Sequence, residues 1–107
     1  MTKITYHILA LPSSHESVLR SMILLAEKQS GCAWAAGAAS QADVLFIGPE
    51  AGNYQPAVRA GQILISVGEG RVKQFYHLDM PFIFPRVAQL LLTVSEACAA
   101  DQEARAY

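Results

Sequence analysis

The sequence predicts an α/β fold: a doubly wound, mostly parallel sheet of about five strands with shortened middle helices. Three observations predict it. The short runs Asp43 to Ile47 and Ile63 to Val67 are, apart from Asp43 and Ser66, continuously apolar instead of alternating, as strands buried on both faces of a parallel sheet are. Segments with helical periodicity alternate with such runs, the order of βαβ units, whose right-handed crossovers place helices on both faces. The chain has 107 residues, 52% apolar and 16% charged, enough for one domain with its own core and too apolar for disorder.

Each element has its own signal. Lys3 to Leu11 is rich in β-branched and apolar residues and stops at Pro12-Ser13-Ser14, which predicts a first strand. Ser13-Ser14-His15-Glu16 fits a capping box, with the Ser13 hydroxyl accepting from the backbone three residues on and Glu16 reaching back. Val18, Met22, Leu25 and Gln29 then trace one helical line, broadened by Leu19 and Ala26, until Ser30-Gly31 ends it. Cys32 to Ala36 reads as a short second strand and Gly37 to Gln41 as one helical turn. Asp43 to Ile47 is the third strand, followed by the loop Gly48 to Asn53 and at most two helical turns over Tyr54 to Ala60.

Ile63 to Val67 is the fourth strand and Phe75 to Leu78 the fifth. The stretch Gly68 to Gln74 between them is shorter than the dozen or so residues a parallel crossover usually needs. Either that crossover is reduced to a turn, the favoured reading, or a hairpin forms around Gly68-Glu69-Gly70. Pro85 suits a first helical turn, and Val87, Leu90, Leu91, Val94 and Cys98 recur on one stripe of a final helix. Residues 1–100 thus form the single domain, of flavodoxin-like arrangement, and the polar stretch Asp101 to Tyr107 is expected to fray.

Charge and cysteine content exclude several classes. Eight Lys+Arg against nine Asp+Glu give a net charge of −1, so no basic footprint for nucleic acid or anionic membrane exists. No apolar run approaches the roughly 20 residues of a membrane span. The first residues do not read as an export signal. Cys32 and Cys98 are too few for a disulfide framework and too far apart for a Cys-x-x-Cys site, so a cytoplasmic location with reduced thiols is expected.

Three stretches resemble the receiver domain of bacterial two-component response regulators. Ala42-Asp43-Val44-Leu45-Phe46-Ile47-Gly48 is similar to the strand that ends in the phospho-accepting aspartate. Gly61 to Val67 is similar to the strand that ends in a Thr or Ser switch residue, and Leu78-Asp79-Met80-Pro81-Phe82 to the Leu-x-Lys-Pro-Phe segment before the last helix. The resemblance runs from about Ile4 to Glu96, and order and spacing carry it. It implies a degenerate, pseudo-receiver domain. Pro12, Ser13 and Ser14 stand where a metal-binding acidic pair would, Gly48 where the acceptor would, and Met80 where the lysine would; Ser66 alone keeps its type. Without carboxylates there is no oxygen cage for Mg²⁺, and without an acceptor there is no phosphoryl transfer. Met80-Pro81 is a candidate cis bond, as the matching Lys-Pro often is in that family.

The remaining candidates are weighed against simpler roles. Ser66, with Ser13 and Gly48, could line a ligand pocket left at the carboxyl edge of the sheet, for a nucleotide or metabolite; a serine there more often only ties down a loop. Glu50 and Asp79 are too isolated to argue for a metal. His7, His15 and His77 have no metal-ligand spacing, and His7 and His77 read as strand positions. Cys32 and Cys98 read as inert core thiols. Gly68-Glu69-Gly70 lacks the lysine and spacing of a phosphate loop and reads as a turn. No Ser-His-Asp or Cys-His order stands out, so no enzyme, cofactor or metal is implied.

Met80-Pro81-Phe82-Ile83-Phe84 is the more informative run. Phe84 precedes Pro85 with no side-chain cap, and Phe82, Ile83 and Phe84 are not expected all to point inward from a turn. Met80, Phe82, Ile83 and Phe84 are therefore the expected interaction surface, for a protein partner or a homodimer. The function expected is a non-catalytic, phosphorylation-independent signalling or regulatory module of a bacterium, with small-ligand sensing as the alternative.

Overall fold

Five strands and two helices make up the computed structural model, which describes residues 3–30, 33–51, 61–68 and 76–105. The strands are β1 (Lys3–Leu9), β2 (Ala33–Ala36), β3 (Val44–Ile47), β4 (Ile63–Val67) and β5 (Tyr76–Leu78). The helices are α1 (Ser13–Ser30) and α2 (Phe84–Arg105). All neighbouring strands pair in parallel, in the order β2-β1-β3-β4-β5. The parallel pairing of β4 and β5 rules out the hairpin and leaves the short crossover. Cys32, the helical turns expected over Tyr54 to Ala60, and the crossover itself after Gly68 lie outside the described residues.

Side-chain alternation along the strands sorts the core into two faces. Ile4, Tyr6 and Ile8 of β1, Val44 and Phe46 of β3, and Ile65 and Val67 of β4 share one cluster with both helices. Leu45 and Ile47 turn the other way and pack with Ala42, Ala39, Leu9 and Leu64. Among the described residues, α1 and α2 both line the first face; the helical turns expected over Tyr54 to Ala60 fall outside those residues. A strap, Gly37–Asp43, crosses β1 on the way from β2 to β3. It is held by Gly37 N–H to the Tyr6 carbonyl (2.9 Å) and Asp43 N–H to the Thr5 carbonyl (2.8 Å). Gln62 Nε2 ties the strap to the start of β4 by donating to the Ala39 and Ala42 carbonyls at 2.9 and 2.7 Å. Its small residues, glycine and alanines, let it lie flat; a Cβ on Gly37 would already touch Thr5 at 3.6 Å. A connection this short is possible because it replaces a helix with one turn closed by Ala42 N–H on the Ala38 carbonyl.

α1 has the expected extent but a different buried face. Leu19, Ile23 and Ala26 are buried, at i, i+4 and i+7, with Met22 half-buried beside them. Val18 and Leu25, predicted to face the core, are 45% and 51% exposed. Apolar residues at 18, 19 and 22–26 cover more than half the circumference, so periodicity fits two adjacent stripes equally well. The capping box is also corrected. Glu16 N–H donates to the Pro12 carbonyl at 2.9 Å, which puts Ser13 at the first helical position, and the Glu16 carboxylate turns instead to Arg20 at 3.5 Å. Leu19→Ala should cost about 2–5 kcal/mol by the cavity it leaves. Leu25→Ala should stay within about 0.5 kcal/mol. Urea unfolding of the two variants checks the rotation of α1.

α2 buries Val87, Leu91, Val94 and Cys98, as its stripe predicts. It begins without a side-chain cap: Arg86 and Val87 N–H groups both use the Ile83 carbonyl, at 3.0 and 3.1 Å. The helix continues through Asp101 to Arg105. Alanine, glutamine, glutamate and arginine there all favour helix.

Candidate functional site

The carboxyl edge of the sheet gathers the residues singled out by the sequence. β1 runs into Ala10, whose φ of 58° is left-handed and uncommon for a residue with a side chain. This turn aims the chain back over the end of β3. Gly48 N–H donates to the Leu9 carbonyl at 2.8 Å, and Glu50 N–H to the Ala10 carbonyl at 3.2 Å, so the two loops are fastened together. A Cβ on Gly48 would strike the Ala10 carbonyl oxygen and lie 2.8 Å from its carbon. Glycine is required here by close approach of backbone to backbone.

Ser13, Gly48 and Ser66 all lie at this edge, but they do not line an open pocket together. Ser13 is exposed on the first turn of α1, Gly48 is buried under Ala10, and Ser66 is 0% exposed. Gly48 and Ser66 come from adjacent strand ends, since Ile47 pairs with Ser66. Met80 adds to the closure. A Cβ on Gly68 would meet its Sδ at 3.0 Å and Pro49 Cγ at 3.5 Å, so both side chains sit against the end of β4.

Sequence reading missed one constellation. Ser66 pairs with His77 across β4 and β5, and the Ser66 Oγ lies 2.6 Å from His77 Nδ1. His77 Nε2 lies 3.1 Å from Asp79 Oδ1. A neutral ring protonated on Nε2 satisfies both contacts, accepting from the Ser66 hydroxyl and donating to Asp79. The hydroxyl, imidazole and carboxylate resemble a nucleophilic triad only by type. A nucleophile needs access, and the Ser66 oxygen is sealed in the sheet. The chain of bonds ties edge strand β5 to β4 instead. The signal for it was a serine and a histidine on neighbouring parallel strands, invisible until the register is known.

The residues of the expected interaction surface, Met80, Phe82, Ile83 and Phe84, differ in exposure. Met80, Phe82 and Phe84 are half-buried and pack on the main core, while Ile83 is 49% exposed. Met80-Pro81 is cis. Along this bend into α2, residues 80, 82 and 84 are half-buried and 81 and 83 exposed. Ile83 is joined on the surface by Leu92 of α2 and by Val18, Leu24 and Leu25 of α1 as exposed large apolar side chains.

His7 and His77 are strand residues, and His7 Nδ1 lies 2.9 Å from the Gly37 carbonyl. Cys98 is buried on the core face of α2. Among the described residues, no three His, Cys, Asp or Glu side chains come together as a metal site, and no helix is long and apolar enough to cross a membrane. No family model, no curated protein and no solved structure matches the chain.

Proposed function

We propose that this chain is a non-catalytic, receiver-like interaction module of flavodoxin-like fold, acting in bacterial signalling or regulation without phosphorylation. The strand order 2-1-3-4-5 is the flavodoxin-like order, in which function gathers at the carboxyl ends of the strands. The observation that carries the reading is Gly48. At the end of β3, where the resemblance puts a phospho-acceptor, the backbone of Ala10 leaves no room for a side chain. Met80 and Pro49 close the neighbouring strand end, and Pro12-Ser13-Ser14 follow β1 in place of acidic residues.

A scaffold without that chemistry can still act through contact. Ile83, Leu92 of α2, and Val18, Leu24 and Leu25 of α1 are exposed apolar side chains, which suits a lasting partner, a second copy in the first instance. Incubation with acetyl phosphate and Mg²⁺, followed by intact-mass measurement, tests the chemical half. The expected spectrum shows the unmodified chain alone, and a phosphoryl adduct on an aspartate would refute the reading.

A further inference from the structure

A groove of about 340 Å³ opens on the helical face. Ala26 and Gln29 of α1, Trp34 of β2, and Pro85, Ala88, Gln89 and Leu92 of α2 contribute to its walls. Two of the lining residues, Ala26 of α1 and Ala88 of α2, are small. The volume lies at the lower end of small-molecule sites, room for one or two fused rings.

The polar groups of the groove are unusual. Trp34 is only 7% exposed, yet among the described residues no group accepts a hydrogen bond from its indole N–H. A buried indole ordinarily finds an acceptor. The Gln29 and Gln89 side chains likewise bond to no described residue, and each offers both a donor and an acceptor. No lining side chain is ionisable. The groove therefore lacks any counter-charge for a phosphate or carboxylate, and its lining combines apolar side chains with the indole and carboxamide groups of Trp34, Gln29 and Gln89.

We propose that this groove binds a small, uncharged, planar heteroaromatic ring with an amide-like edge, such as a lactam. The ring fills the groove, and its carbonyl and N–H meet the indole and the two carboxamides. This site is separate from Ser13, Gly48 and Ser66 and does not rest on the absence of phosphoryl transfer; it shares Leu92 with the surface given to a second copy, so the titration is run at protein concentrations where the chain is monomeric.

The chain has a single tryptophan, so Trp34 emission reports on the groove alone. Hypoxanthine is the probe, with toluene as a ring lacking the polar edge and inosine 5′-monophosphate as the charged counterpart. Hypoxanthine should change the emission saturably, and inosine 5′-monophosphate should bind more weakly. Gln29→Ala/Gln89→Ala, at two exposed positions, should weaken hypoxanthine about tenfold and leave toluene unchanged. Ala88→Leu should abolish both, with circular dichroism checking that it folds; if it does not, the glutamine pair decides. A linear response up to the solubility limit, equal affinity in the glutamine variant, or tighter binding of the monophosphate would each overturn the proposal. So would loss of the response as protein concentration rises, which would show a second copy seated in the groove.

Discussion

Phe46→Ala is expected to lower the unfolding free energy by about 3–5 kcal/mol, the largest single loss in this chain. Phe46 sits on the central strand β3 with no exposed surface, between Ile8 of β1 and Ile65 of β4. Its ring meets Tyr6 edge-on at 6.2 Å, and Tyr6 in turn lies 6.3 Å from Trp34, under the Arg20 guanidinium. Alanine would leave a void that a parallel sheet cannot collapse, because its strands are held in register on both sides. Domains of this size are stable by only about 5–15 kcal/mol. The variant should therefore unfold at much lower urea concentration with an unchanged slope. A loss below about 1 kcal/mol would show that Phe46 is not at the centre of the core.

Gly48→Ala carries the second large effect, and here two physical terms oppose each other. Gly48 does not adopt a positive φ, so removing chain entropy from the unfolded state would by itself stabilise by about 0.4–1 kcal/mol. The added methyl, however, lands on the Ala10 carbonyl and within 3.0 Å of Leu11 Cα. Backbone cannot swing aside as a side chain can, and such overpacking costs about 1–3 kcal/mol or more. Sterics win, and a net loss of about 2 kcal/mol is expected in urea unfolding. A stabilised variant would mean that the β1–α1 loop does not close over β3. Gly48→Asp should be worse folded still and should gain no phosphoryl group.

The strands were legible because burial on both faces leaves a simple trace. Val44 to Ile47 and Ile63 to Val67 have no polar face to present, apart from Ser66. The ambiguous short link after Gly68 was settled in favour of the crossover by the parallel pairing of Ser66 with His77. Helix α1 was legible as a helix but not in rotation. Leu19 and Leu25 are equally apolar, and only packing against β1 and α2 decides which is buried.

The candidate site was harder to read. The glycine at the end of β3 was visible, but the reason for it was not. It depends on the left-handed turn at Ala10, a conformation an alanine does not advertise. The aromatic run before α2 does form a bend, but no pattern in the sequence says that Met80, Phe82 and Phe84 are half-buried there while Ile83 is exposed. The hydrogen-bonded Ser66, His77 and Asp79 and the groove under Ala26 and Ala88 are properties of pairing between elements. No window of sequence contains them.

Sedimentation velocity over a range of concentrations, with and without acetyl phosphate and Mg²⁺, tests most directly whether contact replaces phosphate. The wild type should self-associate to the same degree in both conditions, while Ile83→Asp should sediment as a monomer with an unchanged melting temperature. A wild type that stays monomeric throughout, or whose association appears only with the phosphodonor, would contradict the account.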